Sequence, residues 1–291
     1  MKRLIKLCAL LISLCLVTGC SYAGDIANDV EKEVEQAFEI PYTEVTIDET
    51  TAKEGFYFEK LSESKQLVYK ELLSGIMDHD EVIITQSDDG DEVFEIFQFV
   101  LYDRPDIFWC DGKVDMTLRT VGEDKYLEFA IRYNYTKQEA DEKWIIIDNE
   151  VQNALQGISN ENTEYERILH VFNYIVNNVD YNLDSPDNQN IVSVFENKVS
   201  VCAGYSKAMQ YLLQKLGVFC TYVTGESRGE PHGWNLVFCE GNYYYIDVTW
   251  GIRYLRVKQR KHLKIPATLH TTICAVLKQR LRKHIQLSTR N

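Results

Sequence analysis

No two of the eight cysteines form a C-x-x-C pair, which argues against a zinc ribbon or a thioredoxin-type redox centre. Cations are scarce as well: 31 Lys plus Arg stand against 44 Asp plus Glu, a formal net charge of −13. That balance excludes nucleic acid as a default partner, because phosphate binding draws on clustered positive charge. The apolar run at Leu7–Val17 is too short to cross a bilayer comfortably as a permanent helix. No pattern implies a cofactor or a metal. A ligand set drawn from Cys202, Cys220, His232 and Cys239 has irregular spacing. What remains is ordinary for a folded protein: 45% hydrophobic and 26% charged residues, with 18 Tyr, over 291 residues. Such a chain is long enough for one large domain or two small ones.

The first residues read as an export signal. Lys2, Arg3 and Lys6 precede the apolar run, which ends in Val17-Thr18-Gly19-Cys20. That ending resembles a bacterial lipobox. The resemblance implies cleavage before Cys20, a lipid on its sulfur, and a protein anchored at the outer face of the bacterial cytoplasmic membrane. An ordinary signal peptide with an incidental cysteine is the plainer alternative. Once Cys8, Cys15 and Cys20 are set aside, Cys110, Cys202, Cys220, Cys239 and Cys274 remain. That odd number leaves at least one thiol without an intramolecular partner.

Residues 1–19 are thus expected to be the signal peptide and 20–50 an acidic tether. Residues 51–157 read as a small α+β region. In it, helices near 61–77 and 92–101 lead to a hairpin around Gly122-Glu123-Asp124 and to a helix opened by the capping box Thr136–Glu139. Nothing there carries recognisable chemistry. A second capping box, Thr163–Glu166, opens the 158–251 domain. His170 lies on its helix and reads as structural.

The chemistry begins at Cys202. Ala208, Met209, Leu212, Leu213 and Leu216 form an apolar stripe that stops at Gly217, so Cys202 sits in the first turn of a buried helix. Free N–H groups and the helix dipole there favour thiolate over thiol. A buried core cysteine fits the same helix equally well. Downstream, Val218–Thr224 reads as a strand and Gly225–Pro231 as a turn-forming stretch. His232 and Asp247 then flank a hairpin turn at Glu240-Gly241-Asn242. A two-residue turn puts both on the same face of the sheet; with Glu240-Gly241 as the turn they are diagonal neighbours, within reach of each other. A thiolate, an imidazole that takes and returns its proton, and a carboxylate that orients the imidazole together make an acyl-transfer site. The Cys202 N–H is a natural oxyanion donor, and Gln189 is a candidate for the second.

The runs Ser200-Val201-Cys202-Ala203-Gly204-Tyr205-Ser206, His232-Gly233-Trp234-Asn235 and Tyr245-Ile246-Asp247-Val248-Thr249-Trp250 resemble the bacterial transglutaminase-like superfamily. The resemblance implies an α+β, papain-related core: a Cys-bearing helix packed on an antiparallel sheet. It also implies Cys202 as nucleophile, His232 as base and Asp247 as orienting acid. Members include cross-linking acyltransferases, peptide or amide hydrolases, and domains that have lost activity. A cell-envelope enzyme acting on protein or peptide amide bonds is therefore expected, with a non-catalytic surface binding module as the alternative. After Gly251 the composition changes: residues 252–291 hold eleven Lys plus Arg and no Asp or Glu. A frameshift just past Trp250 is the expected cause, and a genuine basic extension toward anionic lipid or wall polymer is the alternative.

Overall fold

The computed structural model describes residues 40–53 and 55–250, so the expected signal peptide, Cys20 and the basic tail lie outside the described residues. The chain opens with α1 (Glu49–Lys53), a 3-10 turn (Phe58–Lys60) and α2 (Glu63–Asp78). Next come β1 (Val82–Thr85), α3 (Gly90–Asp103), β2 (Val114–Val121), β3 (Asp124–Ile131) and α4 (Lys137–Ala154). The second half runs α5 (Glu164–Asn178), β4 (Asp180–Tyr181), α6 (Val192–Phe195), β5 (Val199–Ser200) and α7 (Cys202–Lys215). It ends with β6 (Cys220–Ser227), β7 (Glu230–Cys239) and β8 (Asn242–Ile246).

Side-chain caps set three of the helix starts. Both expected capping boxes form, with Thr136 and Glu139 opening α4 and Thr163 and Glu166 opening α5. Each satisfies two backbone N–H groups that lack a helical partner. Asp89 does the same for α3, accepting from the N–H groups of Asp91 and Glu92.

The first sheet is antiparallel in the order β1-β3-β2. β1 was not apparent from the sequence, since four residues give too little alternation to read and its partner β3 is far along the chain. Leu127, Phe129 and Ile131 of β3 point inward, where Phe129 packs edge-on against Phe97 of α3 at 5.0 Å. Part of the expected tether is docked: Thr43 N–H donates to Ile84 O, and Thr46 N–H to Ser74 Oγ. One buried apolar cluster runs from Ala52 to Val248, so the core continues across residues 157 and 158.

The second antiparallel sheet has the order β6-β7-β8, and α7 packs on β6 and β7. Expecting residues 225–231 to be a turn was wrong for most of that stretch. β6 runs on to Ser227, β7 starts at Glu230, and only Arg228 and Gly229 turn, with φ of 59° and 83°. Positive φ at both central residues is what a tight hairpin needs. The β7–β8 turn is Glu240-Gly241, with φ of 48° and 81°, and Cys239 pairs with Asn242. A short parallel pair, β4 with β5, leads into α7.

Gly204 and Gly241 make a test of packing against backbone. A Cβ at Gly241 meets nothing within 4 Å, whereas one at Gly204 collides with Ser200 Oγ, Ser193 Oγ and the Asn190 carbonyl. Urea denaturation should show Gly241→Ala costing about 1 kcal/mol, the backbone penalty. Gly204→Ala should cost about 2 kcal/mol or more through overpacking.

Candidate active site

α7 begins without a side-chain cap. Val201 holds the N-cap position in extended backbone and offers no side-chain oxygen, and the first turn contains no acidic residue. Its leading N–H groups are therefore free to face whatever sits at residue 202. Hydrogen bonding from the Gly233 and Ala203 N–H groups favours the Cys202 thiolate. The next donor, Gly204 N–H, is taken by Asn188 O at 3.1 Å.

Two hydrogen bonds lock this helix start to β7. Ser206 Oγ donates to Gly233 O at 3.2 Å, and Asn235 Nδ2 donates to Ser206 O at 2.9 Å. Both side chains are buried. Because Ser206 lies one turn beyond Cys202 and Asn235 lies three residues beyond His232, the nucleophile and the imidazole are placed by the same contact.

The β7–β8 register brings Asp247 to His232 as the hairpin parity requires. Asn235 pairs with Ile246, so Trp234 is the residue facing Asp247 and His232 is its diagonal neighbour. His232 Nε2 lies 2.7 Å from Asp247 Oδ2. The other carboxylate oxygen accepts from Thr249 N–H at 3.0 Å and Thr249 Oγ1 at 2.6 Å. Asp247 thus caps the turn that follows it and is fixed from both sides.

With Nε2 engaged by Asp247, Nδ1 is the ring nitrogen left for Cys202, to which His232 is also hydrogen-bonded. The hydrogen bond to Asp247, aided by that to Cys202, holds the imidazolium up to about 9 against the opposing effect of burial. Burial alone would push the Cys202 thiol up. The hydrogen bond from His232, the Gly233 N–H, the charge on His232 and the Ala203 N–H outweigh it, and the thiol is lowered. Each partner thus favours the charged form of the other, thiolate beside imidazolium, and the two groups titrate together.

The other cysteines differ. Cys110 and Cys220 are buried free thiols and Cys239 is buried as well, and burial raises Cys110 to about 11. Gln189 is exposed, and its carboxamide donates to Asn188 Oδ1 at 2.8 Å. His170 Nε2 lies 2.7 Å from Ala154 O, which matches its reading as structural.

Several neighbours were not singled out from sequence. Trp234 lies beside the His232 ring at 5.8 Å. It fits because Gly225 has no side chain: a Cβ there would sit 2.6 Å from the indole edge. Arg228 stacks over Trp250 at 4.4 Å. The N-terminal region contributes Tyr57 and Tyr102, which pack on Tyr222. Only Thr249 left a local signal, the Asp-x-Thr spacing of a cap.

A family model described as the transglutaminase-like superfamily matches residues 152–253. That segment belongs to the transglutaminase-like superfamily. Among curated proteins, the chain is similar over 106 residues to kyphoscoliosis peptidase of Homo sapiens, at 26% identity, and of Mus musculus, at 23%. In each case 31% of this chain and 16% of the relative are covered. The chain therefore spans about a sixth of the length of these relatives. Among solved structures, one described as a TGase has a TM-score of 0.35 and 15% identity, covering 54% of this chain and 48% of the other. The periplasmic domain of TgpA from Pseudomonas aeruginosa has a TM-score of 0.26 and 16% identity, covering 48% and 59%. The α+β core of this transglutaminase-like segment, a Cys-bearing helix on an antiparallel sheet, is the arrangement the sequence resemblance implied.

Asp247→Asn removes the charge that holds up His232, so the imidazole pKa should fall from about 9 toward its ordinary value, read by NMR titration. The sign for stability follows. A folded-state pKa above the ordinary 6.5 stabilises fully below that value and loses its contribution as pH rises through about 9. Asp247→Asn should flatten that part of the stability profile; an unchanged profile would show that the contact contributes nothing.

Proposed function

We propose that the chain is a cell-envelope lipoprotein whose transglutaminase-like domain cleaves or transfers acyl groups at peptide or amide bonds through a Cys202 thiolate. One observation carries this reading: His232 is hydrogen-bonded to Cys202 on one side and to Asp247 on the other, with the thiol lowered and the imidazole raised. In the proposed cycle the sulfur attacks the carbonyl carbon, and the C=O electron pair moves to oxygen. When that oxyanion collapses, the C–N bond breaks and His232 gives its proton to the departing amine. Water or a second amine, deprotonated by His232, then releases the acyl group. Asp247 keeps the imidazole oriented and stabilises its charged form.

The curated relatives are named as peptidases, which is in keeping with amide chemistry. Protein or peptide at the envelope is the proposed substrate class, because the Cys20 lipobox pattern would place the domain there. Among the described residues no helix is long and apolar enough to cross a membrane, and the proposed attachment is the Cys20 lipid.

Alkylation by iodoacetamide tests the thiolate. Wild-type Cys202 should react at a rate that stays high from neutral pH to well below the range of an ordinary thiol. His232→Ala should shift that profile upward and slow the neutral-pH reaction about 10- to 100-fold. Equal rates in the two proteins would overturn the reading. Attachment is tested separately: Cys20→Ala should abolish incorporation of labelled fatty acid, and label retained in that variant would exclude Cys20 as the site.

A further inference from the structure

We infer that the Tyr222 hydroxyl is a second oxyanion donor of this site, working beside the Cys202 N–H. The inference rests on the acyl-transfer reading above and deepens it. Tyr222 lies on β6, its side chain packed with Val201 and Ala203, the two residues that flank Cys202. Its hydroxyl sits over Gly233, where a Cβ would collide with it. Gly233 is also the residue whose N–H helps to stabilise the Cys202 thiolate. The glycine thus lets a phenol approach the backbone beside the reacting atoms, where any side chain would hold it away.

The hydroxyl is also available. Tyr222 is only 6% exposed, yet among the described residues its hydroxyl has no hydrogen-bond partner and is not among the sealed, unsatisfied polar atoms. Its ring is held in place from the N-terminal region: Tyr57 Oη donates to the Tyr222 carbonyl at 2.8 Å, and Tyr102 packs edge-on at 5.2 Å. Burial, and then the neighbouring Cys202 charge, raise the phenol. It therefore stays protonated and serves as a donor only. In the tetrahedral intermediate the carbonyl oxygen gains the C=O electron pair and becomes an anion. Tyr222 donates a hydrogen bond to it, keeps its own proton, and is released when the C=O bond reforms. Gln189, the residue first considered for this place, spends its carboxamide on Asn188.

Two reactions at the same sulfur separate this role from others. Acylation by p-nitrophenyl acetate passes through an oxyanion; alkylation by iodoacetamide does not. Tyr222→Phe keeps the ring and should slow the p-nitrophenol burst about 10- to 100-fold, with alkylation unchanged within twofold. The unchanged alkylation also reports an intact thiolate site. A burst within twofold of wild type would overturn the inference, as would an equal fall in both reactions, which would mark Tyr222 as a support for the thiolate or the fold. Tyr57→Phe, which releases the Tyr222 backbone without touching the phenol, should give a smaller loss in the same direction. If the wild-type protein alkylates rapidly but gives no burst, the acyl-transfer reading itself fails, independently of Tyr222.

Discussion

Everything at the site depends on where the first turn of α7 meets β7. Two buried hydrogen bonds, Ser206 Oγ to Gly233 O and Asn235 Nδ2 to Ser206 O, set that meeting. They fix the helix along the strand and about its own axis. Cys202 and His232, on separate elements, inherit their relative position from this seam. The same helix start also rests on residues 190–200, where Gly204 leaves room for the Ser193 and Ser200 hydroxyls, 2.6 Å apart. A side chain at that position would lift the helix start away from its support. Close packing makes such errors costly, since interiors tolerate little extra volume.

Given that seam, the electrostatics follow from a contest between burial and pairing. Burial works against both charged forms, and a lone thiolate or imidazolium here would be unfavourable. The pairing reverses the outcome. Asp247 raises His232, and His232 with two backbone N–H groups lowers Cys202. Asp247 is in turn held by Thr249, so the chain of contacts ends in ordinary cap chemistry. Cys110 shows the contrast: it is equally a cysteine in a folded interior, but there burial outweighs the Gly112 N–H and the Lys207 charge and raises the thiol to about 11.

Much of this arrangement was legible in the sequence, for identifiable reasons. Capping boxes are local codes, and both formed where they were read. Strand parity is a counting rule, and the Glu240-Gly241 turn gave His232 and Asp247 the predicted diagonal relation. What stayed hidden was non-local or conformational. β1 exists through pairing with a strand some forty residues away. The 225–231 stretch looked like a loop because its Gly and Pro content resembles one, while two positive-φ residues at 228 and 229 suffice to make it a hairpin. The contribution of Tyr57 and Tyr102 was invisible, since nothing local relates them to Tyr222. The N-terminal region, which carried no chemistry by its motifs, packs against the residue beside the nucleophile.

If this seam pairs Cys202 with the His232 imidazolium as proposed, the thiolate must form at lower pH than an ordinary thiol allows. The most direct measurement is the ultraviolet thiolate absorbance of the full chain during a pH titration, compared with Cys202→Ser. A single thiolate signal should persist below the ordinary thiol range, vanish in Cys202→Ser, and move to higher pH in His232→Ala. A thiolate signal that appears only in the range of an unperturbed cysteine, and is indifferent to His232, would contradict it.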